Sequence, residues 1–247
     1  MDQNIIVFIC VGFVAQVIDG ALGMAYGVSA TTFLLTLGVP PAAASASVHA
    51  AEVFTTGVSG LSHIGFGNVD KYLLKKLLVP GVIGAVLGAY ILTVVPGDAI
   101  KPLVAVYMIV MGLLILRKAL KRDIVERRVT TKIIRLGFIG GLLDAMGGGG
   151  WGPIVSSTLI ARGNNPRFTI GSVNMAEFFV AVAASATFLL SIGLGHWKMI
   201  LGLIIGGVFA APFAAYICKK LPSRVLLMLV GGLITLLAIR IVYQTLF

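Results

Sequence analysis

The chain has 247 residues, of which 58% are hydrophobic and 11% charged, and its mean hydropathy is +1.04. Soluble domains carry roughly 25% charged residues, so the composition excludes a soluble globular protein and, with it, a reading of the net charge of +10 as a nucleic-acid footprint. The nineteen Lys and Arg residues lie almost wholly between apolar stretches, as expected of a polytopic helical membrane protein with basic loops on the cytoplasmic side.

The N-terminal Met1-Asp2-Gln3-Asn4 has no basic region, so a cleaved signal peptide is not expected. Residues 5–37 are apolar but interrupted at Asp19-Gly20-Ala21-Leu22-Gly23. As one helix they would be about 50 Å long at 1.5 Å per residue, against a hydrocarbon core of about 30 Å. Two short helices meeting at the glycines are therefore predicted. Gly38-Val39-Pro40-Pro41 is a turn, and a small-residue helix follows over about 42–66, carrying Ser45, Ser47, His49, Glu52 and His63. Helices over about 72–94 and 99–118 complete the first half. The stretch from Arg117 to Arg135 is a connector with eight basic residues against Asp123 and Glu126. The second half repeats the plan: 136–161, broken between Asp144 and Gly152, then helices over about 167–194, 198–219 and 223–244. Cys10 and Cys218 lie in apolar stretches, where thiols are usually packing residues.

The repetition is literal. Asp19 lies 125 residues before Asp144, and Glu52 lies 125 before Glu177. The same offset pairs Gly12 with Gly137, Gly23 with Gly148, Gly27 with Gly152, Ser47 with Ser172, and His49 with Asn174. Three units are expected: an N-terminal repeat over 1–118, a cytoplasmic connector over 119–135, and a C-terminal repeat over 136–247. A broken first segment plus three spanning helices gives each half an odd number of crossings, which inverts the second half. Basic loops alternate accordingly. Lys71, Lys75 and Lys76 follow the second helix of the first half, whereas Arg162, Arg167, Lys219, Lys220 and Arg224 occupy the other set of loops in the second. The predicted fold is all-α, with two inverted-topology repeats and both termini periplasmic.

Asp19 and Asp144 precede glycine-rich restarts. Each reads either as a cap on the following half-helix or as a proton or cation site, because a charge at bilayer depth costs at least about 2.5–3.5 kcal/mol. Gly147-Gly148-Gly149-Gly150-Trp151-Gly152 has no following Lys-Ser/Thr and so is no nucleotide loop. It reads as exposed N–H groups at a half-helix N-terminus, suited to an anion, or as a site of close helix packing. His49 and Glu52 share a helix face at a spacing of three and suggest a proton-linked pair; interhelical hydrogen bonding is the plainer alternative. Without His-Glu-x-x-His, and with Asn174 as the mate of His49, no metal site is expected. His63 reads as peripheral. Ser45, Ser47 and Ser172 either line the site or permit packing. Residues 1–70, 136–161 and 168–197 contain no Lys or Arg, so no fixed cation is expected at the centre. The expected substrate-binding set is Gly23, Gly27, Ser47, His49, Gly148, Gly149, Gly150, Ser172 and Asn174, with Asp19, Glu52, Asp144 and Glu177 as coupling or structural carboxylates.

The paired Gly-rich, Asp-containing segments and the small-residue helices that start at Ser45 to Glu52 and Gly171 to Glu177 resemble the sulfite exporter TauE/SafE family, also called the toluene sulfonate uptake permease family. The resemblance spans essentially the whole chain. It implies an inner-membrane permease for sulfur-containing anions such as sulfite, sulfoacetate or other organosulfonates. The expected function is secondary transport by alternating access, with Glu52 or Glu177 taking up a proton as the anion binds; a passive channel for small anions or solutes is the alternative. Asp19 and Asp144 have no accompanying nucleophile or metal ligands, so an enzyme is not expected. No cofactor or nucleic acid is expected, and the partners are the bilayer, the anion and a second copy in a homodimer.

Overall fold

The structure is a computed structural model that describes residues 5–22, 24–120, 131–193, 195–220 and 223–246. The middle of the connector and Gly23 lie outside the described residues. The described secondary structure is helical: α1 (Ile5–Leu22), α2 (Tyr26–Thr36), α3 (Pro41–Gly65), α4 (Lys71–Val94), α5 (Gly97–Leu120), α6 (Ile133–Gly147), a π-turn (Gly152–Ser156) running into α7 (Ser157–Ala161), α8 (Pro166–Ile192), α9 (Trp197–Lys220) and α10 (Ser223–Leu246). Each expected helix is present, and the breaks lie between Leu22 and Tyr26 and between Gly147 and Gly152. The starts of α2 and of the helical turn at Trp151 lie 125 residues apart, as do the starts of α3 and α8.

Local sequence sets the helix ends. Asp70 caps α4 by accepting from the N–H groups of Tyr72 at 2.8 Å and Leu73 at 3.2 Å. Asn165 does the same for α8 at Arg167 and Phe168, with Pro166 in the first helical position.

Among the described residues, three helices are long and apolar enough to cross a membrane by themselves: Lys71–Val94, Pro102–Leu120 and Arg167–Ile192. Large apolar side chains such as Val58, Phe209, Leu190 and Leu236 point outward, whereas His49, Glu52, Asp144, Ser45 and Thr31 are buried. This is the distribution of a multi-pass membrane protein, whose outer surface faces lipid rather than water.

Helices in lipid gain little from burying apolar surface, so small residues that allow backbones to approach decide which of them pair. Gly81, Gly84 and Gly88 of α4 lie against Phe138, Gly141 and Leu142 of α6. On the opposite side Gly202 and Gly206 of α9 lie against Ile5, Phe8, Ile9 and Phe13 of α1. Each first helix thus packs on the third long helix of the other half, and both pairs run parallel. Two pairs of helices related by the 125-residue offset pack antiparallel: Gly57 meets Phe178 and Gly60 meets Met175 between α3 and α8, while Gly112 meets Thr235 and Gly231 meets Leu116 between α5 and α10.

Candidate functional site: two helix breaks that meet

The two breaks touch. A Cβ placed on Gly27 would lie 2.7 Å from the Cα of Gly149, and one placed on Gly149 would overlap the Gly27 backbone. Gly148, Gly149 and Gly150 have φ of 69°, 137° and 144°, so the turn itself requires glycine. In the first break Ala25 carries the positive φ, at 88°. The turn carbonyls are held from the first half. Thr31 Oγ1 donates to Gly148 O, and Tyr107 Oη donates to Gly149 O at 2.9 Å. Of the two readings of the glycine run, close packing describes Gly148 and Gly149; both of their N–H groups turn back to Asp144 O.

Both aspartates cap the helix that follows their break. Asp19 Oδ1 accepts from Tyr26 N at 3.3 Å, and Asp144 Oδ1 accepts from Trp151 N at 2.8 Å. Glu52, on α3, accepts from Gly27 N. Carboxylates therefore already occupy the positive N-terminal ends of both half-helices, where a substrate anion had been expected to bind. Glu52 is 3% exposed, and its Oε2 has no hydrogen-bond partner. The charges of Asp144, Glu177 and Asp19 all act on it.

His49 pairs with Asp144 rather than with Glu52, contrary to the expectation from helical spacing. Its Nε2 is 3.1 Å from Asp144 Oδ2, and its Nδ1 is 2.8 Å from Ser45 O. A carbonyl oxygen only accepts, so Nδ1 carries a hydrogen. The Nε2–Oδ2 contact then also needs a proton, as an imidazolium on a carboxylate or as a carboxyl donating to neutral imidazole. Ser45 Oγ donates to Ala145 O at 2.6 Å and ties α3 to α6 beside this pair.

Other expected members serve elsewhere. Ser47 Oγ donates to Ala43 O in its own helix at 2.8 Å. Ser172 Oγ donates to Phe168 O and accepts from Asp70 N, pinning the α3–α4 loop. Both hydroxyls bond to backbone. Asn174 Nδ2 donates to Ser59 Oγ at 3.1 Å, so it shares the position of His49 in the repeat but not its partner. His63 meets Asn68 at the end of α3 and is peripheral, as expected. Cys10 is exposed on α1 and is not a packing residue.

Sequence reasoning missed Thr31, Tyr107 and the aromatic pair Tyr26 and Trp151. Trp151 is fully buried, its Nε1 donates to Val173 O at 3.1 Å, and its ring lies against Gly81 and Gly140. The 125-residue offset carried a signal for three of the four: it aligns Tyr26 with Trp151 and Thr31 with Ser156. For Tyr107 no such signal exists, because its counterpart is Gly232.

Short broken helices that end in apposed polar turns inside a lipid-facing bundle are an arrangement of membrane transporters, since irregular backbone is tolerated at that depth only where protein or a cavity encloses it. The comparisons agree. The family model described as "Sulfite exporter TauE/SafE" matches residues 8–241, and the chain belongs to that family. It is 45% identical to "Probable membrane transporter protein YtnM" of Bacillus subtilis (strain 168), over 96% of this chain and 82% of the relative. "Probable membrane transporter protein ORF9" of Sinorhizobium sp is 28% identical over 73% of this chain and 65% of its own length. "Probable membrane transporter protein YunE" of Bacillus subtilis (strain 168) is 20% identical over 99% of this chain and all of its own length. No solved structure matches.

Proposed function

We propose that this membrane transporter carries small sulfur oxyanions, sulfite or an organosulfonate, by alternating access between two inverted halves in the cell inner membrane, and that a proton moves with the anion. The observation that carries the reading is the buried, half-satisfied carboxylate of Glu52 at the meeting of two carboxylate-capped half-helices. Two like charges 4 Å apart at an effective dielectric of about 20 repel by about 4 kcal/mol. An anion joining these carboxylates therefore arrives most favourably together with a proton. Glu52 has a free oxygen to accept it, while His49 holds the second cap in place through Asp144 Oδ2.

The inverted topology is supported by the antiparallel packing of α3 on α8 and of α5 on α10, as a two-fold axis in the membrane plane requires. The basic loops also gather. Arg162 Nη1 donates to Thr131 O at 3.4 Å, and Arg167 reaches Asn68 Oδ1 at 2.5 Å and Phe66 O at 3.1 Å. In this reading α6 and α7 form a re-entrant hairpin that opens on the cytoplasmic side, and the termini are periplasmic.

Proteoliposome uptake of sulfite, sulfonates, sulfate and chloride, with and without a proton gradient, tests the function. Saturable uptake of a sulfur oxyanion that an inward proton gradient accelerates is the expected result. Flux that rises linearly with concentration would replace the transporter with a channel. For topology, cysteines at Phe66 and Trp197, in a chain with Cys10 and Cys218 replaced by Ala, should label from opposite faces.

A further inference from the structure

The sequence leaves every segment flanking the breaks without a Lys or Arg, yet the fold brings one in from α5. Lys118, in the last turn of that helix, is half-buried, and its Nζ lies 3.4 Å from Met24 Sδ. Ser157 Oγ reaches the same sulfur at 3.8 Å. Met24 is buried in the link between α1 and α2, and a Cβ on Gly152 would lie 3.0 Å from its Cβ, so this cluster borders both breaks. The face of α5 that holds Lys118 also runs along the second break, with Tyr107 on Gly149 O and Met111 Sδ beside Gly150.

A lysine at a helix end normally extends its ammonium to the interface. The adjacent Arg117 is exposed, whereas Lys118 turns inward. What it meets there is a thioether, a weak acceptor that does little to compensate an ammonium with three donors. No described carboxylate lies within 4.0 Å of Lys118. An ammonium and a hydroxyl that converge on one apolar sulfur form a donor pair without an anion. An oxyanion, with several acceptor oxygens, satisfies both. The cluster lies toward the basic loops: Ser157 is one turn before Arg162, which bonds Thr131. That is the side on which the protein's own field concentrates anions.

We propose that Lys118 Nζ and Ser157 Oγ, gathered on Met24 Sδ, form the subsite that receives the substrate oxyanion from the connector side before it reaches the paired breaks. This rests on the reading of the protein as an oxyanion transporter. It gives the anion the cation that the centre lacks and assigns specificity for charge to a residue that the repeat does not duplicate, since the counterpart of Lys118 is Tyr243.

The test uses the full chain in proteoliposomes with sulfite as the probe. Loss of a charge-assisted hydrogen bond worth about 1.5–3 kcal/mol corresponds to about tenfold or more in affinity. Lys118→Gln should accordingly raise the half-saturating sulfite concentration about tenfold, with the maximal rate within about threefold of wild type. Ser157→Ala should raise it by about threefold, as for one neutral hydrogen bond. Lys118→Cys, in a chain with Cys10 and Cys218 replaced by Ala, should show the same defect. 2-Bromoethylamine, which rebuilds the ammonium through a thioether that sulfite does not cleave, should restore the affinity once excess reagent is removed. A merely structural lysine would change the maximal rate or the unfolding temperature and leave the half-saturating concentration where it was. Wild-type affinity in Lys118→Gln, or no recovery of affinity in aminoethylated Lys118→Cys, would overturn the proposal. Wild-type protein that transports no oxyanion would overturn the parent reading, and this one with it.

Discussion

The two breaks share a sequence plan and differ in charge. Each has an aspartate that caps an aromatic residue seven positions on, Asp19 with Tyr26 and Asp144 with Trp151. Only the second carboxylate has a titratable partner, because His49 reaches across from the first half, whereas Asn174, in the equivalent position, turns to Ser59. The first break instead gains Glu52, with one oxygen on Gly27 N and one unsatisfied. The turns differ as well: three glycines with positive φ in the second and, among the described residues of the first, Ala25. The second break thus has its cap paired with His49, and the first has an extra carboxylate.

The contact between the two breaks should be the most sensitive feature. Gly149→Ala and Gly27→Ala each drive a Cβ into the opposing backbone, and at Gly149 the φ of 137° adds strain. Transport should fall about 100-fold or more, since a misplacement of about 1 Å in a positioned site is enough for that, with a lower unfolding temperature in detergent. Normal uptake in both variants would show that the breaks need not touch.

Making the halves alike comes next. His49→Asn gives the first half the residue of the second and strips Asp144 of its partner. Breaking a buried pair costs about 3–5 kcal/mol, read as a lower unfolding temperature. His49→Asn/Asp144→Asn should recover most of that loss because no buried charge remains unpaired. If the double variant is no more stable than the single one, the pair is not a unit.

A smaller effect separates the two glutamates. The proton-linked reading holds Glu52 to be the site, so Glu52→Gln should retain uptake within several-fold and lose its dependence on pH between about 5 and 8, where a buried carboxyl or a His titrates. Glu177→Gln should keep that dependence. Wild-type uptake that is flat across the same range would remove the proton from the mechanism and leave the carboxylates as caps.

The smallest effect belongs to Ala25. An L-residue in the left-handed region is disfavoured by about 1–2 kcal/mol, and its counterpart is already Gly150. Ala25→Gly should raise stability by up to about 1 kcal/mol and leave uptake within about twofold. A destabilised variant would mean that the first break depends on a stiffer backbone than the second.

The sequence alone determined the helices, both breaks, the 125-residue repeat and the four carboxylates, because each is written in local composition: long apolar runs must be helical in lipid, and glycine clusters interrupt them wherever the chain is duplicated. What lay beyond it were the partnerships. Spacing on α3 joined His49 to Glu52, but the imidazole crosses 95 positions to Asp144, because α3 packs beside α6 and Nδ1 is held by Ser45 O. Ser47 and Ser172 looked alike in the repeat and proved to be backbone anchors, since a hydroxyl in a helix readily bonds the carbonyl one turn back. Tyr107 and Lys118 left no mark in the pattern at all. They reach the breaks because α5 happens to run past both, and such contacts between distant segments are fixed by packing in three dimensions, to which no periodicity along the chain corresponds.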